Sequence, residues 1–248
     1  IKLIKIGLRG KSSVITTSKH AKSKLERTFS KQKPLITAIF QSFLSSKTYD
    51  DSILKTFNLH DSDFLLHVGS FDKRKDLITL VKAFKFLKED KTNKHLKLVL
   101  AGRKILNGNA EVLNELKTYI LTNNLSKNVL MTDYLSRAEI RSLYKKALIY
   151  VFPSVEEGFG IPILESFAMK TPVVTSNAGA MVEVAGGAAE HFNAGDYIEL
   201  FKTLTKLITS KPKRTYLIEK GSERLKAFSR EKFINDYEYF ILKSVKIK

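Results

Sequence analysis

The chain has no cysteine, which excludes a disulfide framework and any metal site built on thiolates. Its five histidines, His20, His60, His67, His95 and His191, are scattered without an HExxH or a close pair. Each therefore reads as a surface or hydrogen-bonded histidine rather than a metal ligand. No run approaches the ~18 apolar residues that a membrane-crossing helix needs. The opening Ile1-Lys2-Leu3-Ile4-Lys5-Ile6 is interrupted too often by lysine for a secretory signal. A soluble, cytoplasmic protein is expected. There is no internal repeat and no low-complexity tract. The first residue is not methionine, and the expectation is an excerpt of a longer polypeptide.

Acidic residues are also scarce, 25 against 43 Lys+Arg, which leaves a formal charge of +18. Such a balance concentrates polyanions, whether nucleic acid, an anionic bilayer surface or nucleoside diphosphates. No recognisable nucleic-acid motif or basic-aromatic stripe accompanies it, so nucleic acid is not an expected partner.

At 248 residues the chain can bury a substantial core. From about residue 64, strand-like and helix-like segments alternate, which predicts a parallel sheet with helices on both faces. Strands are expected at Phe64 to Val68, Leu96 to Ala101, Val129 to Met131, Leu148 to Phe152 and Pro172 to Thr175. Helices are expected at Asp76 to Leu87, Val112 to Leu121, Arg137 to Ala147, Tyr197 to Ile208 and Arg230 to Leu242. Ser136 and Glu139 have the spacing of a capping box for the third of these. Lys211-Pro212-Lys213 reads as a turn.

The most distinctive stretch is Glu157-Gly158-Phe159-Gly160-Ile161-Pro162-Ile163-Leu164-Glu165. It follows the buried strand at Leu148 to Phe152 and the break at Pro153-Ser154. Gly158 and Gly160 permit backbone conformations and close ligand approach that a Cβ resists, and Pro162 suits the first turn of a helix. A strand, a glycine loop and a helix start thus follow in order. The free N–H groups of such a helix start favour phosphate or sugar oxygens. Glu165, expected in the first helical turn, could accept hydrogen bonds from paired hydroxyls such as those of a ribose. In isolation, a solvated loop acid and an acid favoured at a helix start account for the two glutamates better than a binding role does.

Four stretches, taken together and in this order, go further. They are Leu66-His67-Val68-Gly69-Ser70-Phe71-Asp72-Lys73-Arg74-Lys75-Asp76-Leu77, Leu98-Val99-Leu100-Ala101-Gly102, Tyr150-Val151-Phe152-Pro153-Ser154 with the glutamate stretch, and Thr171-Pro172-Val173-Val174-Thr175-Ser176. From Phe64 to about Ser244 the chain resembles the family 4 glycosyltransferases, retaining nucleotide-sugar enzymes of the two-domain, glycogen-phosphorylase-like GT-B architecture. The resemblance implies an α/β fold with a Rossmann-like parallel sheet. It assigns residues 46–228 to the C-terminal nucleotide-sugar-binding domain, 229–248 to a C-terminal helix, and 1–45 to a remnant of the N-terminal acceptor domain and its crossover.

The same resemblance implies a donor site. Gly69 and Ser70 would border the diphosphate, with Lys75 as the principal cation and Arg74 as its helper. Tyr134 and Leu135 would meet the nucleotide base. Backbone N–H groups of Phe159, Gly160 and Ile161 would reach sugar hydroxyls or the distal phosphate. Glu157 would approach the transferred sugar, Glu165 would hold the ribose, and Glu157 and Lys75 would be the catalytic pair. Glu183 matches a further acidic position, though a surface acid fits it nearly as well. The implied reaction transfers a hexosyl unit from a GDP- or UDP-linked donor to the hydroxyl of a saccharide or lipid-linked acceptor. No metal or other cofactor is expected; polysaccharide or lipopolysaccharide assembly is the implied setting, in the cytoplasm, and the positive charge would suit peripheral contact with the inner face of an anionic membrane where such acceptors are anchored. A hydrolase also uses two carboxylates, about 5–9.5 Å apart, but here one of them is committed to the ribose.

Two features at the start of the chain complete the reading. Ser13 to Leu25 resembles a strand running into a serine-capped helix near the end of the family's first domain, and Ile36 to Phe43 resembles the strand and crossover entering the second. Gly10-Lys11-Ser12 ends like a phosphate-binding loop, yet the glycine required five positions earlier is Lys5, and it reads as an ordinary turn.

Overall fold

The computed structural model describes residues 13–31, 34–46, 48–102 and 110–245. Gly10-Lys11-Ser12 lies outside them. The described residues build two separate parallel sheets. The smaller pairs β1 (Ser13–Thr16) with β2 (Leu35–Ala38) around helix α1 (Lys19–Thr28). Ser18 caps α1 by accepting a hydrogen bond from the Ala21 amide at 3.0 Å, the serine-capped helix that the sequence announced.

The larger sheet has six strands: β3 (Phe64–Val68), β4 (Lys97–Ala101), β5 (Val129–Met131), β6 (Ile149–Phe152), β7 (Val173–Ser176) and β8 (Glu190–Phe192). They run parallel in the spatial order β5-β4-β3-β6-β7-β8. From β3 the chain winds outward through β4 to β5, then returns to β6 on the other side of β3 and winds outward again. The reversal between β3 and β6 is the place where an open parallel sheet leaves a crevice beyond its strand ends.

Helices cover both faces, which is why the strands are apolar at nearly every position. Leu66, Val68, Tyr150 and Phe152 face one core, and Leu65, Leu98, Ile149 and Val151 face the other. The second core is closed by α3 (Leu77–Glu89), whose Leu77, Leu80, Val81, Phe84 and Leu87 are all buried at helical spacing. The first is closed largely by α5 (Arg137–Lys146) and α6 (Ile161–Ala168). The capping box of α5 is complete, with Glu139 N–H donating to Ser136 Oγ at 3.2 Å and Ser136 N–H donating to Glu139 Oε2 at 2.7 Å.

The remaining helices are α2 (Ser52–Thr56), α4 (Ala110–Thr122), α7 (Met181–Ala185), α8 (Tyr197–Thr209), α9 (Lys211–Arg224) and α10 (Arg230–Val245). One of them corrects the sequence reading: Lys211-Pro212-Lys213 is the first turn of α9 and not a turn between helices. Ser210 is the cap, accepting from the Lys213 amide at 3.3 Å, and the proline falls where its missing N–H costs no hydrogen bond. No helix among the described residues is long and apolar enough to cross a membrane.

Candidate functional site

The loops after β3 and β6 meet across the reversal point. After β3 the chain passes Gly69 and Ser70, makes a single 3-10 turn at Lys73–Lys75 and enters α3 through Asp76. Asp72 caps that turn by accepting from the Arg74 amide at 3.0 Å and receives the Ser70 hydroxyl at 2.6 Å. The turn is tied to the neighbouring loop by the Val155 amide, which donates to the Arg74 carbonyl at 2.8 Å. This geometry turns the Lys75 side chain inward. Its ammonium lies 2.5 Å from Glu157 Oε1 and 4.9 Å from the centre of the Phe152 ring. Lys75 and Glu157 are thus brought together from 82 residues apart, with side chains only 11% and 14% exposed.

Gly69 sits directly above this pair. A Cβ there would fall 3.0 Å from His67 Nε2 and 3.4 Å from Lys75 Cε. Its carbonyl also abuts Gly102, where a Cβ would come within 1.9 Å of the Gly69 oxygen and where φ is +150°. The ends of β3 and β4 can approach this closely only because position 102 is glycine.

His67 is fully buried beneath the loop. Its Nδ1 lies 3.1 Å from the Val151 carbonyl, which makes Nδ1 the protonated nitrogen, and Nε2 has no hydrogen-bond partner. Burial, with the Lys75 charge adding to it, lowers its pKa to about 3. The ring is therefore neutral beside the lysine. As a satisfied histidine it matches the sequence reading on one nitrogen only.

Helix α6 begins at Ile161 with Pro162 in its first turn and Gly160 as its cap, at φ 116°. Glu165 consequently stands in the second turn, not the first: the helix starts one residue before the proline, so the glutamate is the fifth helical residue. It lines a cavity of about 430 Å³ with Val68, Ile161, Arg137, Arg141 and Tyr144. The Tyr144 hydroxyl donates to Glu165 Oε2 at 3.2 Å. Burial raises the carboxyl's pKa, while that hydrogen bond and the two arginines act against the rise.

The other expected donor residues divide into two groups. Gly160 and Ile161 form the start of α6 beside the Glu165 cavity, and Gly69 stands next to Val68, which lines it. Phe159 instead sends its side chain into the core, 6.0 Å from the Phe40 ring and 5.8 Å from Phe228. Tyr134 is exposed and Leu135 packs partly against the core. Neither lines the cavity, which takes Arg137 from the same junction. Arg74 points outward, its guanidinium 3.4 Å from Asp72. Ser70 is engaged with Asp72. A literal Asp-x-Asp, Asp61-Ser62-Asp63, precedes β3 and so lies at the opposite end of the sheet from Lys75. Among the described residues no group of three His, Cys, Asp or Glu side chains is disposed to hold a metal ion.

Sequence reasoning missed how the smaller sheet is fastened to this site. Glu183, on α7, accepts from the Lys19 and His20 amides at 2.8 and 3.2 Å, completing the first turn of α1. Thr17, just after β1, donates its hydroxyl to the Gly158 carbonyl at 3.1 Å. The Ser18 cap signalled the helix, but nothing local signalled a carboxylate from 164 residues away.

The comparisons with known proteins bear on the fold and the family. The chain is 26% identical over 194 residues to the O-antigen chain mannosyltransferase RfbU of Salmonella typhimurium, an alignment covering 78% of this chain and 50% of that protein. Sucrose-phosphate synthase from Thermosynechococcus elongatus superposes with a TM-score of 0.82 at 22% identity, covering 97% of this chain and 60% of that one. Anabaena HepE, solved in complex with UDP and glucose, gives 0.79 at 18% identity over 94% of this chain and 63% of that one. The fold is the GT-B glycosyltransferase fold. The chain spans about half the length of the curated relatives it matches. The model of the glycosyl transferases group 1 family matches residues 50–224, and the chain belongs to that family.

Proposed function

We propose that this chain supplies the donor-binding half of a retaining glycosyltransferase, which moves a hexosyl unit from a nucleoside-diphosphate sugar to an acceptor hydroxyl in polysaccharide or lipopolysaccharide assembly. The observation that carries the reading is the Lys75–Glu157 pair across the sheet's reversal point, with Glu165 in the adjoining cavity on the same loop-helix unit. An ammonium has three donors. One serves Glu157, and the others are available to a diphosphate resting on Gly69 and the start of α6.

The chemistry asked of these residues is electrostatic. The bond from the anomeric carbon to the diphosphate oxygen breaks with its electron pair staying on the diphosphate. A bond to the acceptor oxygen forms on the same face of the sugar, and the acceptor proton passes to the departing phosphate. Lys75 and the α6 N-terminus stabilise the charge that develops there, and Glu157 stabilises the electron-deficient sugar. Glu165 holds the ribose hydroxyls, with Arg137 and Arg141 beside it. In this reading Lys75 and the helix start take the place of a metal ion.

Several comparisons support the setting. HepE of the same fold was solved with UDP and glucose, and O-antigen mannosyltransferases are among the relatives; UDP and GDP are the nucleotides to compare. Residues 1–45 belong, in this reading, to the acceptor domain, and the +18 charge favours a cytoplasmic site of action at an anionic membrane surface. The test is calorimetric titration with UDP and GDP, followed by an assay for consumption of UDP-glucose and GDP-mannose. Binding with turnover is expected of the protein joined to its acceptor domain. Binding without turnover there would make the chain a nucleotide-sugar-binding subunit. Binding of neither nucleotide would overturn the reading.

A further inference from the structure

A second cavity, of about 670 Å³, opens beside the loop that carries Glu157, with Val155 and Glu156 in its lining. One wall is the face of α1 bearing Lys19, His20, Lys24 and Arg27, and the opposite wall includes Glu156 and Gly179. The residues along that face recur at helical spacing, so a single stripe of the helix supplies three permanent cations and a histidine. One carboxylate, that of Glu156, opposes them, and it is paired with Lys24. Among the described residues, the Lys19 ammonium and the Arg27 guanidinium form no ion pair with a carboxylate. A helix face with no apolar side chain turned toward a neighbouring loop across a gap of this size is not packing; it is a basic recess.

Its position gives it meaning. Glu156 is the neighbour of Glu157, and a Cβ on Gly179 would fall 2.9 Å from both the amide nitrogen and the carbonyl oxygen of Glu157. The recess therefore ends against the backbone of Glu157. It shares no lining residue with the cavity that holds Glu165: the recess meets the segment at Val155 and Glu156, the Glu165 cavity at Ile161. The wall of α1 is held in place by the Glu183 carboxylate on its first turn and by Thr17 on Gly158.

We propose that this recess receives the acceptor, and that the acceptor carries an oxyanion, phosphate or carboxylate, held by Lys19, Lys24 and Arg27 so that its hydroxyl reaches the sugar beside Glu157. The proposal rests on the donor-site reading given above and adds the chemical class of the second substrate. An oxyanion suits the wall because a guanidinium and ammonium groups together offer several charge-assisted hydrogen bonds. Glu156, already bonded to Lys24, competes with it.

The test uses the full-length protein saturated with UDP or GDP, whichever binds. Two acidic probes are titrated against their neutral counterparts: glucuronate against glucose, and geranyl diphosphate against geraniol. At least one acidic probe is expected to bind at least about fivefold more tightly than its neutral partner, with the preference collapsing at high salt. Which one does so tells a saccharide carboxylate from a lipid diphosphate. The K19E/R27E double variant is expected to weaken that probe by about tenfold or more, from reversing two nearby charges, with nucleotide affinity unchanged. Glu156→Gln is expected to tighten it, a gain that misfolding does not produce. Equal binding of acidic and neutral probes, or binding of neither, overturns the proposal, as does an acidic probe indifferent to both variants. Loss of nucleotide binding in the unaltered protein instead overturns the donor-site reading, so the two failures are told apart.

Discussion

The two glutamates that bracket the Phe-Gly turn are held in opposite ways. Glu157 is matched by a lysine at ion-pair distance, with both side chains largely buried. Glu165 is given a neutral phenol at 3.2 Å, with two arginines at longer range and a cavity in front of it. The first end is electrically complete as it stands; the second is under-satisfied and keeps acceptor capacity for a partner. In the proposed reading one carboxylate therefore meets the transferred sugar already balanced by a cation, while the other meets the ribose short of partners.

The sharpest way to break that contrast is at Lys75. Lys75→Met leaves the Glu157 charge enclosed without its partner, which should destabilise the fold by about 3 kcal/mol and weaken nucleoside-diphosphate binding by about a hundredfold. Adding Glu157→Gln should restore most of the melting temperature but none of the affinity. If the double variant binds nucleotide normally, the lysine is structural only.

Glu165→Gln should behave differently: nucleotide affinity falls about tenfold, while stability at neutral pH stays level or rises because a poorly compensated charge has gone. The pH dependence fixes the sign. The folded-state pKa of Glu165 lies above the usual 4.5, so between those values the folded protein holds the extra proton. The contribution of this group to stability is therefore greatest below pH 4.5 and declines as pH rises through the folded value. The advantage of the glutamine variant in chemical denaturation should grow over that window, and a constant difference would contradict the burial argument.

At the lysine end, His67 carries the reverse sign. Its pKa drops from 6.5 to about 3 on folding, so the unfolded chain binds the extra proton between these values. Stability from this group is full above pH 6.5 and is lost as pH falls toward 3. His67→Gln should lower the midpoint of acid unfolding by about half a pH unit, and an unchanged midpoint would show the ring to be innocent of acid lability. The smallest effect is expected from Tyr144→Phe, which removes the hydroxyl from Glu165 at a cost of about 1 kcal/mol and should raise the glutamate's pKa further, as carboxylate NMR would report.

Local signals carried much of the fold. Apolar runs located β3 and β5 to the residue, the spacing of Leu77, Leu80, Val81, Phe84 and Leu87 located α3, and Ser136 with Glu139 located the start of α5. Local signals that point two ways misled: Ser210-Lys211-Pro212 suits a turn as well as a helix start, and the three residues of β8 are too few to show a pattern. Within the candidate site, the glycine loop and the helix after it were legible because strand, turn and helix start are contiguous in sequence, though Glu165 falls in the second turn and not the first. The Lys75–Glu157 contact was not, because it depends on which strands become neighbours, and the order β4-β3-β6 is a property of the whole sheet. The same holds for His67, whose burial no periodicity distinguishes from the surrounding strand, and for Glu183, which reads as a surface acid until α1 is laid against it.

That last carboxylate sets how the crevice between the sheets can widen. Its bonds to the backbone of Lys19 and His20 are short and directional, so swinging α1 away stretches both at once and forfeits them together within about an ångström. Such a clasp has no stable half-open position. Hinge motion here would proceed by release and recapture, with Glu183 acting as the latch and the first turn of α1 as its keeper.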